Sequence, residues 1–501
     1  MSVINLQESS VPIRENRLGS IIGYDGTAGD LVECARKGTL KECPRKFSQC
    51  MGCNSGQAFC QLSMIQDAAV INHAPVGCAG DFFAFNFTYR VEQTHRNMPE
   101  AIGRYFSTCI EEKDTVFGAV KKLENTVREV YRRVHPSVIF VTTSCASGII
   151  GEDIETVLDQ LTEEFGIPVV SCICEGFRSR IWTTGFDAAY HSVLRKIVQP
   201  PVRRTNKVNI VNFWGSHIFD DLLKRLGYEA QYIMPFSTVE ELRHISEAAA
   251  TIHICPSLST YMGAGLEQVY GVPEIKTPPA YGIAATDRWM RELGKLLHKE
   301  TEIEQIIAEK HAETELKLKQ YKKKFEGKTA YVAAGAAHGH ALIALLSELG
   351  FRVEGASIFH HDPIYDNEDP NSDVLAQDVE LYGDVPRYRV CNKQAFELVN
   401  AFNRIKPDII IARHSGMTAW AAKLGIPSLL VGDEQFGFGY EGLLRYAKRI
   451  EETLDAIEFV TNLSKHVEIP YTEWWLKQEP GYYVNQSAAR NAEKKRGLKD
   501  A

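Results

Sequence analysis

The chain has 501 residues, 44% of them hydrophobic and 24% charged, as expected of a globular protein with ample core and about two to four domains. A net charge of −8 without any basic face argues against nucleic-acid binding. No apolar run is long enough to span a bilayer, and the opening MSVINLQESSVPIRENRLGS lacks the basic start and apolar stretch of a signal peptide. The expected location is therefore the cytoplasm, where thiols stay reduced.

Residues 1–40 are polar and irregular, and the expectation is an N-terminal arm that wraps a partner or stays mobile. A first unit covers 41–204. Within it, residues 112–134 place Val116, Val120, Leu123, Val127 and Val130 at helical spacing, predicting one charged helix with one apolar stripe. A strand at 137–142, a helix at about 152–165 and a strand at 167–172 follow, the alternation of a parallel sheet. After the linker Pro200-Pro201-Val202-Arg203-Arg204, a second unit over 205–325 opens with a strand at 208–213. There Ser237 and Glu240 form an expected capping box, and a strand at 250–255 puts Cys255 at its carboxyl end. The long charged helix at 299–328 joins this to a third unit, 326–460, with strands at 329–334, 352–357, 408–412 and 427–431. The extension 461–501 carries Trp474, Trp475, Tyr482 and Tyr483 on an expected packed surface, then a solvated tail. Three doubly wound α/β units are expected, with ligand sites in the crevices between them. No G-x-x-x-x-G-K-[ST] loop is present, so the chain should not itself hydrolyse ATP. The glycine-rich stretch from Ala334 to His340 is weak evidence for a dinucleotide, and NAD is set aside.

Three cysteines stand out. Cys53 and Cys78 lie 25 positions apart, each beside glycine, and Cys145 closes the apolar strand at Thr142-Thr143-Ser144. Thiolates are soft ligands suited to iron–sulfur clusters, and neighbouring glycines let a bulky inorganic core approach the backbone. Taken singly, each reads equally well as a small buried hydrophobe. The spacing fits neither a zinc knuckle nor a thioredoxin-like pair, since Cys50 and Cys53 form a lone C-x-x-C.

The segment from Cys53 to Cys78, the run from Thr142 through Cys145 to Ile154, and Cys174-Glu175-Gly176-Phe177 together resemble the nitrogenase superfamily, from about residue 43 to about residue 460. The resemblance implies the nitrogenase component 1 fold, three Rossmann-like parallel-sheet domains with metal clusters between them. It implies that Cys53, Cys78 and Cys145 hold half of an eight-iron P-cluster shared with a β-type sister subunit in an α2β2 heterotetramer. A separate ATP-dependent iron–sulfur reductase would dock over that cluster. The stretch Ile252-His253-Ile254-Cys255-Pro256-Ser257 resembles the segment that anchors a large iron–sulfur–carbide cofactor, of unspecified heterometal, in α-type chains, and it puts Cys255 on the anchoring position.

Departures from the family pattern bear on the substrate. The family's second cofactor ligand is a histidine just before a glycine-rich turn, whereas Val431 to Gly442 contains none. Asp433, Glu434 and Gln435 stand there instead, and His360 and His361 are candidates from another loop, so that ligand stays open. Positions that carry a glutamine, a histidine and an arginine in dinitrogen-reducing relatives match Trp182, Phe186 and Asn86. Phe82, Phe83, Phe85 and Phe87 crowd the loop after Cys78. Trp182, Phe186, Phe82 and Phe359 are read either as ordinary core or as the lining of a pocket poor in hydrogen-bonding groups. Such a pocket favours an apolar, polarisable substrate, and a thioether sulfur packs well against ring edges. Within the superfamily the chain most resembles the α-type subunits of methylthio-alkane reductases, which implies reductive cleavage of small methyl thioethers to methanethiol and a hydrocarbon. Alternatives are a cofactor-assembly scaffold, an alternative nitrogenase α subunit, or a nonenzymatic sugar-nucleotide-type α/β fold.

Overall fold

The computed structural model describes residues 4–43, 52–99, 102–212, 215–391, 395–413, 416–432 and 437–479, with the side chains of 79, 81–85, 87 and 88 outside the described set. The strands are β1 (Gly23–Gly26), β2 (Ala68–His73), β3 (Tyr105–Ser107), β4 (Val138–Thr143), β5 (Val169–Cys172), β6 (Lys207–Val211), β7 (Glu229–Ile233), β8 (Ala250–His253), β9 (Thr329–Ala334), β10 (Arg352–Ile358), β11 (Tyr388–Cys391), β12 (Ile409–Arg413) and β13 (Ser428–Val431). They form three sheets, ordered β3-β2-β4-β5, β7-β6-β8 and β1-β11-β10-β9-β12-β13. Every pairing is parallel except β1 with β11. The central strands β2 and β4 are buried along their whole length, as parallel strands covered by helices on both faces must be.

Several local expectations shift for physical reasons. The stripe at 112–134 is broken at Gly118, whose φ of 94° is left-handed. Helices Glu112–Phe117 and Val120–Val134 therefore point differently. Leu123, Val127 and Val130 are buried on the second, while Val116 on the first is exposed. The capping box stands one residue later, with Thr238 and Glu241 satisfying each other's backbone N–H groups at the start of Val239–Arg243. Ser237 instead accepts from Met234 N at 3.0 Å and donates to Tyr232 O at 3.1 Å. The long charged helix runs Glu300–Phe325.

The N-terminal segment corrects the expectation of a partner-wrapping or mobile arm, because residues 4–43 pack on their own chain. Gly23–Gly26 closes the edge of the largest sheet against β11. Ahead of it, the short helix Arg14–Arg17 sinks two guanidinium groups between the units. Arg14, fully buried, donates to both carboxylate oxygens of Asp187 at 2.7 Å from Nε and Nη2, and to Asp362 Oδ2 at 3.2 Å from Nη1. Arg17 donates to Asp366 Oδ1 and to Asp187 Oδ2, each at 2.6 Å, and covers the Tyr261 ring 4.9 Å from its centroid. Thr260 Oγ1 completes Asp366 at 3.3 Å. Asp187 belongs to helix Thr184–Lys196 of the first unit, Thr260 and Tyr261 to helix Pro256–Tyr270 of the second, and Asp362 and Asp366 to the loop after β10 of the third. The arm thus ties all three units at one point, and although burial pushes the Asp362 carboxyl up, the neighbouring His360 ring and then the Arg14 guanidinium hold it well below the usual carboxylate range.

Removing one side of a buried ion pair leaves the other charged and unsolvated, at a typical cost of about 3–5 kcal/mol. Arg14→Ala is expected to lower the thermal midpoint strongly, with Asp362 losing its guanidinium partner and Asp187 keeping only Arg17; a midpoint within about 1–2 °C of wild type, on the order of what a surface change gives, would show that the network does not hold the units together. A second expectation concerns pH. Burial pushes the His73 imidazole down to about 4 from 6.5, against the weaker opposing pull of Glu152 and Asp114, while Nδ1 sits 3.1 Å from Thr108 Oγ1. The unfolded chain therefore binds this proton more readily, so stability from the neutral ring is complete above about pH 6.5 and is lost as pH falls towards 4. His73→Gln should flatten denaturation midpoints over that window relative to wild type; identical slopes would contradict a neutral buried His73.

Candidate metal centres

The first unit brings loops from several strands to one sheet edge. In the parallel ladder His73 of β2 pairs with Thr143 of β4, so the 3-10 turn Val76–Asp81 bearing Cys78 and the helix Cys145–Ile150 leave from the same carboxyl end. Ser144 fixes that exit, donating to His73 O at 2.8 Å and accepting from Ser147 N to cap the helix. Cys53 reaches the same edge from outside the sheet, as the N-cap of helix Asn54–Ser63. Ser55 Oγ donates to Thr143 O at 2.7 Å and clamps that helix start to the end of β4. Close packing of the helix on Thr184–Lys196 requires Gly185, where a Cβ would lie 2.2 Å from Asn54 O.

Cys53 and Cys145 meet beneath Gly176 of the Cys174-Glu175-Gly176 loop. A Cβ built there would stand 3.1 Å from Cys145 Sγ and 3.2 Å from Cys53 Sγ. The glycine therefore leaves the space directly over two sulfurs open. Cys53, Cys78 and Cys145 are all exposed and none is in a disulfide. Exposure on an apolar-to-polar edge suits thiolates that share an inorganic core with a second subunit.

Cys255 is different. It is buried, follows β8, and forms the N-cap of the 15-residue helix Pro256–Tyr270 with Pro256 at the first helical position. The sulfur stands at the positive end of that helix, where negative charge is favoured. Behind it, His253 Nε2 and Glu274 Oε1 are 3.1 Å apart, both buried, in space that Gly263 keeps clear. Burial raises the Tyr190 and Tyr365 phenols well above the usual tyrosine range, and Cys255 adds to both shifts, so the thiol lies within electrostatic reach of helix Thr184–Lys196 and of the loop after β10.

Those same two elements carry the aromatic residues singled out in the sequence. Trp182 and Phe186 are buried with ring centroids 5.7 Å apart in an edge-on arrangement, and the Trp182 ring also meets His360 edge-on at 6.3 Å. Trp182 Nε1 and His360 Nδ1 are buried without a hydrogen-bond partner among the described residues. Orphaned polar atoms of this kind are costly unless something polar or metallic covers them. Phe359 is not part of this group, since it packs into the third unit's core with Leu398, Phe402 and Ile410. The side chains of Phe82, Phe83, Phe85 and Phe87 lie outside the described residues, as do Asp433, Glu434 and Gln435. Sequence reading missed the Arg14–Asp187–Asp362 network that braces Trp182 and His360, because its members are 173 and 348 residues apart. No helix among the described residues is long and apolar enough to cross a membrane.

The residues present fit iron–sulfur groups at both places. Paired sulfurs lie under a side-chain-free cradle at one, and a buried thiol and orphaned nitrogens lie on converging elements at the other. A family profile described as "Nitrogenase component 1 type Oxidoreductase" matches residues 53–455. The chain is 26% identical over 412 residues to the nitrogenase iron-molybdenum cofactor biosynthesis protein NifE of Methanococcus maripaludis, spanning 79% of this chain and 82% of that protein. It is 30% identical over 320 residues to the nitrogenase molybdenum-iron protein alpha chain of Clostridium pasteurianum, spanning 60% and 58%. The solved structure titled "Nitrogenase Cp1 at pH 6.5" superposes with a TM-score of 0.66 at 22% identity, over 86% of this chain and 92% of that one, which shows a shared fold. With the profile running from the first cradle cysteine to past the last strand, the chain belongs to the family of nitrogenase component 1 type oxidoreductases.

Proposed function

We propose that this chain is the α-type subunit of a reductase that cleaves the carbon–sulfur bond of small methylthio-alkanes. The observation that carries the reading is the buried Trp182–Phe186 pair at positions where dinitrogen-reducing relatives carry polar groups. Cys53, Cys78 and Cys145 would hold this chain's half of a P-cluster-type eight-iron cluster, the other half coming from a β-type sister subunit in an α2β2 heterotetramer. Cys255 would hold a large iron–sulfur–carbide cofactor, which when bound supplies low-potential electrons for reductive chemistry. An ATP-dependent iron–sulfur reductase is the implied electron donor.

The chain's own part is to bind and to exclude. Trp182 and Phe186 present ring edges and faces to a thioether sulfur and leave little room for water. Helix Pro256–Tyr270 directs its positive end at Cys255, and the Arg14 and Arg17 contacts hold the elements bearing Trp182 and Cys255 in register. The net reaction is R–S–CH3 plus two electrons and two protons giving R–H and CH3SH: the R–S bond breaks, one C–H and one S–H bond form, and the thioether is reduced.

A second reading, a cofactor-assembly scaffold, draws on the greater span of the likeness to the biosynthesis protein NifE, 79% of this chain against 60% for the alpha chain. One assay separates them. The anaerobically isolated, iron-loaded complex, given its reductase, ATP and a methyl thioether, is expected to release methanethiol, and Trp182→Gln should raise KM for the thioether by about 2–10-fold, the range of a sulfur–aromatic contact. Absence of product from the loaded complex would assign the chain to assembly, and unchanged kinetics in the variant would make Trp182 simple core. Independently, Cys255→Ala should remove one of two iron signals while leaving the exposed-edge cluster signal intact; iron content and spectra equal to wild type would rule out an anchoring role for Cys255.

A further inference from the structure

His360 is an unusual residue to bury. The residue is 1% exposed, neither ring nitrogen makes a full hydrogen bond among the described residues, and of the two only Nε2 lies near a carboxylate, 3.3 Å from Asp362 Oδ2. That carboxylate is itself immobilised, taking a hydrogen bond from Arg14 Nη1 at 3.2 Å on Oδ2 and a short one from Ser20 Oγ on Oδ1. A histidine whose one ring nitrogen faces a fixed carboxylate while the other points at nothing is the arrangement by which proteins orient an imidazole towards a metal. An imidazole nitrogen left bare in the interior is costly unless a ligand covers it.

The neighbours locate the open side. The His360 ring meets Trp182 edge-on, and Trp182 Nε1 also has no partner among the described residues, so two rings with orphaned nitrogens touch across the seam between the first and third units. The neighbouring histidines have other contacts. The His361 ring meets His340 at 6.2 Å and its backbone pairs with Ile21, although its Nδ1 and that of His340 also have no hydrogen-bond partner among the described residues. His340 Nε2 is 2.7 Å from Tyr388 OH. His360 is thus the histidine of this group that combines a neighbouring carboxylate, a Trp182 contact and an unpartnered Nδ1.

We infer that His360 Nδ1 is the second protein ligand of the iron–sulfur group held by Cys255, with Asp362 and Arg14 as the residues that position it. The inference rests on the reading of Cys255 given above and supplies the nitrogen ligand that the segment 431–442, which has no histidine, does not. The Arg14 network then serves twice, since the contact that binds the arm to the third unit also orients the ligand.

The test is spectroscopic and does not depend on turnover. The complex is produced with 15N-labelled histidine, isolated anaerobically, and its reduced clusters are probed by pulsed EPR for nitrogen hyperfine coupling. A directly bound histidine nitrogen on the Cys255-dependent signal is expected in wild type, lost in His360→Ala and in the milder His360→Gln, with exposed-edge cluster signals unchanged. A strongly coupled histidine nitrogen that persists in folded His360 variants would overturn the assignment in favour of another histidine. A wild-type Cys255-dependent signal with no histidine coupling would overturn it too, while leaving the Cys255 reading standing. A wild-type complex lacking any Cys255-dependent iron signal would instead sink both.

Discussion

Two guanidinium groups from a four-residue helix organise this molecule. Arg14 and Arg17 reach Asp187 of the first unit and Asp362 and Asp366 of the third, and Arg17 covers Tyr261 of the second, so one buried cluster of charge touches all three α/β units at once. Buried ion pairs contribute little net stability compared with apolar packing, and their value lies in specifying one arrangement among several. Here the arrangement concerns the seam. Asp187 directly follows Phe186, and Asp362 stands two residues beyond His360, so the charges that fix the units also fix the side chains lining the space between them.

The two cysteine groups answer to different physical demands. Cys53, Cys78 and Cys145 sit on exposed loops at a sheet edge, with Gly176 withdrawing its side chain from over two of the sulfurs. That surface is open to a second polypeptide. Cys255 lies inside, at the head of a long helix, where solvent is excluded. Electrostatic interactions gain strength in such a setting, and unprotected nitrogens there become conspicuous because water cannot satisfy them.

Much of this was legible in the chain itself. Val138–Thr143 begins as an uninterrupted apolar run, so the strand beneath Cys145 and the ligand-bearing turn after it are visible in one dimension, as is the charged helix Glu300–Phe325. Periodicity also misled. Val116 keeps helical spacing with Val120 across Gly118, yet a left-handed glycine separates two helices and leaves Val116 in solvent. Gly23–Gly26 is too short and polar to announce a strand, and only its antiparallel pairing with β11 makes it one. Phe359 was expected with Trp182 as a candidate pocket residue, whereas its neighbours are Leu398, Phe402 and Ile410 in the third unit's core. The Arg14 contacts had no local signature at all, since nothing in a run of polar residues reveals an acceptor hundreds of positions away.

The sequence separation between the arm and its acceptors has a consequence for folding. Arg17 finds Asp187, 170 residues later, but its second carboxylate, Asp366, is 349 residues away. Until both are in place its acceptors exist only in part, and a cationic helix must wait in water while three sheets form around the place it will occupy. Closure is therefore a late event of long sequence separation, and the seam is complete only once the third unit's acceptors have joined those of the first.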